Sequence, residues 1–119
     1  MITKDQLLKS LAAVDEFLDA VIIRTLPNDM KKKTRNYNSD NHPFLSNEAV
    51  YFLKNKGVKH ILLDIPSIDK FDDGGKLKNH NIFFTNEDGA VNKNTITELV
   101  YIPNHCLDGK YLLCIGIPN

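Results

Sequence analysis

The stretch Leu63-Asp64-Ile65-Pro66-Ser67-Ile68-Asp69 runs on through Asp72-Asp73-Gly74-Gly75 to Asn79-His80, and it is the densest gathering of reactive groups in the chain. Carboxylates and an imidazole in one strand-end loop can hold a divalent metal through oxygen and nitrogen. The same Pro, Ser, Asp and Gly residues are what solvated turns use, so a plain turn stands beside the metal reading. A third reading is a Ser–His–Asp triad, with Ser67 as nucleophile, His80 as base and Asp64 or Asp69 as orienter. No Gly-x-Ser-x-Gly elbow surrounds Ser67, which follows Pro66 instead.

Glu98 interrupts the apolar run Ile96 to Ile102. By strand alternation it shares a face with Ile96 and Val100. A carboxylate on a buried face needs a partner or a metal, whereas on an edge strand with a wet face it needs neither. The other histidines read more plainly. His42 precedes Pro43 in a polar loop and reads as solvated, His60 opens a strand and reads as packed or hydrogen-bonded, and His105 falls in a turn. Cys106 follows His105, but adjacency in sequence is thin support for a nucleophilic Cys–His pair. Gly74-Gly75-Lys76 has part of a phosphate-binding pattern and lacks the rest. The basic run Met30-Lys31-Lys32-Lys33-Thr34-Arg35 reads as a solvated loop, with an anion site as the alternative.

These groups need elements to hold them. Thr3 and Gln6 form a capping box, and Leu7, Leu8, Leu11, Val14, Phe17 and Leu18 follow at helical spacing, which predicts a helix over 3–19. Ala20-Val21-Ile22-Ile23-Arg24-Thr25 predicts a buried strand that stops before Pro27. Residues 26–44 are polar and predict a long loop. Ser46 is a suitable N-cap for a helix over 47–56, and Gly57 suits its C-terminal turn. Val58 to Ile65 predicts a second buried strand, and the order strand, helix, strand predicts a parallel crossover. His80 to Phe84 is ambiguous between helix and strand, 86–94 predicts loop, and two last strands are predicted over 96–102 and 110–117. In such open α/β sheets ligands bind beyond the carboxyl ends of the strands, where Asp64, Ser67 and Asp69 fall.

A chain of 119 residues suits a single domain over 1–119. Its 15 basic and 15 acidic residues cancel, which argues against a dedicated nucleic-acid binder. No apolar run approaches the roughly 20 residues a membrane helix needs. The polar opening Thr3-Lys4-Asp5-Gln6 is unlike a signal peptide, so a cytoplasmic location is expected. Cys106 and Cys114 have neither zinc-knuckle nor redox spacing. Cys114 lies in the apolar run Tyr111-Leu112-Leu113-Cys114-Ile115 and is expected to be buried.

Taken together, Ile22-Ile23-Arg24-Thr25-Leu26-Pro27-Asn28, the Asp64-Ile65-Pro66-Ser67-Ile68-Asp69 segment, Asn79-His80 and Thr95-Ile96-Thr97-Glu98-Leu99-Val100 resemble the C-terminal half of the cyclase family of metal-dependent hydrolases, which includes kynurenine formamidases (arylformamidases). The resemblance runs from about Asp19 onward. It implies the C-terminal part of a swivelling β/β/α fold within the α/β class. It also implies hydrolysis of an amide, or of a cyclic amide or ester, in a small-molecule substrate by water activated on zinc or manganese. His80 matches a metal-ligand histidine and Glu98 a metal-ligand glutamate, at a spacing longer than the family's. Asp64, Ser67 and Asp69 match the signature loop, whose implied role is to shape the site.

The family's main metal motif, His-x-Gly-Thr-His-x-Asp-x-Pro-x-His, has no match in this chain, and His42-Pro43 is the nearest approach. Relative to the family the chain is expected to be truncated at both ends. The expectation is therefore an incomplete metal site, inactive alone, in a chain that oligomerises or works with a missing N-terminal half. The alternative is a non-catalytic remnant acting as an oligomerising or ligand-binding module.

Overall fold

The computed structural model describes residues 1–14, 18–37 and 42–118. Three helices and three strands alternate: α1 (Lys4–Ser10), β1 (Ala20–Ile23), α2 (Asn47–Asn55), β2 (His60–Leu63), α3 (Lys78–Phe84) and β3 (Thr95–Thr97). The sheet has the order β1-β2-β3 and every pairing is parallel. This is an α/β fold, and its first half is the β1-α2-β2 crossover that the sequence predicts.

Local signals explain α2. The Ser46 hydroxyl accepts the Ala49 amide at 3.1 Å, and Gly57 takes φ +84° just beyond the helix. A residue with a Cβ is strained in that left-handed conformation. In register, Val21, Ile61 and Ile96 lie side by side, as do Ile23 and Leu63. Ile61 and Leu63 are fully buried in one core with Val50 and Leu53 of α2 and Phe83 of α3. On the other face His60 Nδ1 pairs with Thr95 Oγ1 at 2.8 Å, as expected of a strand-opening histidine that hydrogen-bonds. Ile22 on that face is exposed.

Several sequence expectations need correction. The capping box at Thr3 is present, with the Thr3 amide donating to Gln6 Oε1 at 2.8 Å, but α1 ends at Ser10 rather than Asp19. The chain must turn so that the Leu18 amide reaches Lys56 O at 3.1 Å and the Lys59 amide reaches Asp19 O at 2.8 Å. Docking on the sheet thus overrides helical periodicity. Phe17, part of the expected apolar stripe, lies outside the described residues.

The ambiguous segment 80–84 belongs to α3. The strand expected over 96–102 narrows to Thr95–Thr97, because Leu99 turns left-handed at φ +58°. The strand expected over 110–117 does not form among the described residues, and Leu112 and Ile117 stand exposed. Strand propensity describes fit to a pleated neighbour, and among the described residues no strand pairs with this segment. Cys114 is accordingly exposed rather than buried. His42 is buried rather than solvated, with Nδ1 2.8 Å from Pro43 O and its ring edge-on to Phe71.

The expected loop over 26–44 contains a 3₁₀ turn, Met30–Lys33, started by the Asp29 side chain, which accepts the Lys31 amide at 2.7 Å. Before that turn, Arg24, just past β1, donates to Pro103 O at 3.1 Å and Cys106 O at 2.8 Å, which fastens the 103–108 loop to the sheet. No helix among the described residues is long and apolar enough to cross a membrane.

Candidate functional site

The loop leaving β2 carries the acidic residues singled out by the sequence, and the fold sends them to different places. Asp64 turns toward β1. It accepts the Thr25 amide at 3.0 Å, the Thr25 hydroxyl at 2.9 Å and Lys32 Nζ at 2.8 Å. The Lys32 and Asp64 side chains are only 6% and 1% exposed, so the pair is out of solvent. Lys32 spends its other donors on Thr25 O and Asn28 Oδ1. One lysine of the basic run is therefore a buried counter-ion, where a solvated loop was expected. Among the described residues Asp64 meets no histidine, so it does not serve as orienter of a triad. Its carboxylate is already neutralised by a cation that belongs to the chain.

Asp69 turns the other way, toward the first turn of α3. Its Oδ1 accepts the Asn79 amide at 2.6 Å, and its Oδ2 lies 2.6 Å from His80 Nδ1. The His80 amide also points to Oδ2, at 3.3 Å. Two helix amides on one carboxylate is the usual way to satisfy donors that a helix start leaves unpaired. Here Asp69 does this from the preceding loop, because Leu77, the residue before α3, supplies no side-chain cap.

Glu98, just past β3, completes the group. Its Oε1 accepts the Ile68 amide at 3.0 Å and lies 3.5 Å from His80 Nε2. The imidazole therefore stands between two carboxylates, one on each ring nitrogen. They raise its pKa from 6.5 to about 9, Glu98 contributing most and Asp69 adding to it, against an opposing effect of burial. The ring also packs on Phe84, with centroids 5.9 Å apart.

Of the residues predicted to carry the site, His80, Glu98 and Asp69 are brought together. Ser67 is close in sequence but plays another part: its hydroxyl accepts the Asp69 amide at 3.1 Å and fixes the turn. Among the described residues it makes no hydrogen bond to His80, so the nucleophilic triad is not assembled. His105 and Cys106 likewise make no bond to each other. In the glycine turn, the Gly74 amide donates to Asp72 at 3.3 Å and the Lys76 amide to Asp73 at 3.1 Å, so these donors face carboxylates rather than a phosphate.

Two residues that sequence reasoning left without a role prove structural. Lys32 is one. Asn79 is the other: buried, it donates to Leu45 O at 2.7 Å and Ile68 O at 2.8 Å, pinning α3 to the loop that carries Asp69. A buried asparagine leaves no sequence signal beyond its neighbourhood to His80.

Chemically, His80 Nε2 and Glu98 Oε1 set one nitrogen and one oxygen 3.5 Å apart. Two ligands held about 2.0–2.1 Å from a tetrahedral ion sit about 3.4 Å apart, which is close to the 3.5 Å seen between Nε2 and Oε1. A carboxylate on the far nitrogen of a ligand histidine is the usual outer support of such a site. Among the described residues, no group of three or more His, Cys, Asp or Glu residues is arranged to hold a metal ion.

The family described as Putative cyclase matches residues 1–70. The chain belongs to the cyclase family. The matched span includes α1, which the residue-level resemblance did not use, and it contains Asp64, Ser67 and Asp69. It stops before His80 and Glu98, so the match bears on the β1-α2-β2 unit and the loop after it rather than on these two side chains. No curated protein and no solved structure matches the chain.

Proposed function

We propose that this cyclase-family chain carries one part of a metal-dependent hydrolase site for amide or cyclic amide or ester bonds, aryl formamides among them. The observation that supports it most is the Asp69–His80–Glu98 arrangement, with Nε2 and Oε1 3.5 Å apart. In this reading His80 and Glu98 are the ligands, and zinc or manganese is the ion. When bound, the metal supplies water that is nucleophilic near neutral pH. Asp69 supports the imidazole, Ser67 holds Asp69 in its turn, and Glu98 is held by the Ile68 amide.

A catalytic zinc needs about three protein ligands and one open position. His80 and Glu98 supply two, so the remaining ligand and the proton acceptor come from a second copy of the chain or from further protein. The experiment is a zinc and manganese titration, followed by an aryl-formamide hydrolysis assay. Binding lost in His80→Ala, with no turnover by the chain alone, is the expected result. Absence of binding contradicts the metal reading. Metal-dependent turnover by the chain alone, lost in Glu98→Ala, contradicts the incompleteness.

A second reading is a non-catalytic module that self-associates. It is favoured by the apolar segment near residues 107–117, where Leu107, Tyr111, Leu112 and Ile117 are all exposed. Unpaired apolar segments and open sheet edges invite pairing between chains. Concentration-dependent sedimentation without any zinc affinity is the outcome this reading predicts.

A further inference from the structure

We infer that Asp69 is a positioning residue that fixes the proton of neutral His80 on Nδ1 and so presents the Nε2 lone pair toward Glu98. The inference rests on the metal reading for its purpose but on geometry for its substance. A neutral imidazole has one N–H donor and one acceptor nitrogen, and the partners around the ring decide which is which. Here the competition is unequal. Asp69 Oδ2 is 2.6 Å from Nδ1, whereas Glu98 Oε1 is 3.5 Å from Nε2, too far for a strong hydrogen bond.

Asp69 is also the better anchored of the two. It is 3% exposed. Its backbone amide is held by Ser67, and its oxygens receive the Asn79 and His80 amides. Asn79 ties the same helix turn to Leu45 O and Ile68 O, which fastens the ring-bearing turn to the loop that carries the carboxylate. Glu98 sits just past a short strand, where the Ile68 amide holds its Oε1 at 3.0 Å. A ligand histidine bound through Nε2 needs its Nδ1 proton held in this way, and losing such a partner costs roughly 10–100-fold in metal affinity.

The test is imidazole ¹⁵N NMR of the metal-free chain at about pH 10, above the pKa of about 9, where His80 is neutral. Wild type is expected to carry the proton on Nδ1. In Asp69→Ala only Glu98 remains as a carboxylate partner, and the proton is expected to move to Nε2. Asp69→Asn keeps a carbonyl acceptor and is expected to restore part of the Nδ1–H form. This rescue separates orientation from simple loss of the helix-start bonds, and an amide spectrum of each variant verifies that the fold is kept. Zinc titration then gives a loss of about 10–100-fold for Asp69→Ala. A tautomer indifferent to Asp69, or a wild-type proton on Nε2, would overturn the inference. A tautomer that behaves as stated in a chain that binds no zinc would leave the positioning intact and remove the metal reading alone.

Discussion

Asp64 and Asp69 leave the same loop, are equally buried at 3% exposure, and each meets a nitrogen base. Their states differ because the bases differ. Lys32 is an ammonium with three donors, and all of them are spent on Asp64, Thr25 and Asn28, so the pair has nothing left to offer a ligand. His80 has two nitrogens on opposite sides of a ring. Asp69 takes one, and the other faces Glu98 across a gap of 3.5 Å. A buried acid with its own lysine is a fastener, whereas a buried acid behind a histidine can transmit its charge to a site. Acidic residues close together in a loop are therefore poor evidence for a metal until their counter-ions are known.

The comparison is broken most severely at the fastener. Lys32→Met would leave the Asp64 carboxylate buried beside Thr25 without its cation. Stranding one partner of a buried pair costs about 3–5 kcal/mol. Urea unfolding should show a loss of that order, while the zinc affinity proposed for the Asp69–His80–Glu98 group should be unchanged if the variant is held folded at low temperature.

The effect of pH comes next and belongs to the other region. His80 has a folded pKa raised from 6.5 to about 9. A base whose pKa is raised on folding stabilises the native state fully below its unfolded value, and this contribution is lost as pH rises through the folded value. Stability should therefore fall between about pH 6.5 and about 9. Glu98→Gln and Asp69→Asn should each flatten that decline, because each removes a carboxylate that favours the charged ring. Urea midpoints across this range measure it. Lys32→Met should leave the slope unchanged.

The smallest effect sharpens the contrast between buried and exposed pairs. Arg24 and Asp108 are 2.8 Å apart, close to the separation in the Lys32–Asp64 pair, but Asp108 is 97% exposed. Exposed pairs contribute little. Asp108→Ala should be hard to distinguish from wild type in the same unfolding assay, because Arg24 keeps its bonds to Pro103 O and Cys106 O.

The parts of the fold legible in the sequence are those with local causes. The Thr3 and Ser46 caps, Gly57 and the β-branched runs of β1 and β2 each act over a few residues, and their order alone implies the parallel crossover. The end of α1 was not legible, because it depends on where Leu18 and Asp19 dock. Nor was the fate of 110–117, since an apolar run says nothing of whether a neighbouring strand is within reach. At the site, His80, Glu98 and Asp69 could be named from residue type and resemblance. Which of Asp64 and Asp69 would meet the histidine could not, because the turn fixed by Ser67 decides it. Lys32 was hidden for the same reason: its partner lies across a loop that separates β1 from β2, and no spacing rule links them.

The proposed metal ligands are His80 and Glu98, and Asp64 is not one of them. The most direct measurement is the footprint of added zinc on the amide spectrum of the labelled chain. Resonances of Ile68, Asp69, His80 and Glu98 should shift or broaden together, those of Thr25, Lys32 and Asp64 should stay in place, and His80→Ala should abolish the effect. Perturbation centred on Thr25, Lys32 and Asp64, or a spectrum unmoved by zinc, would contradict this assignment.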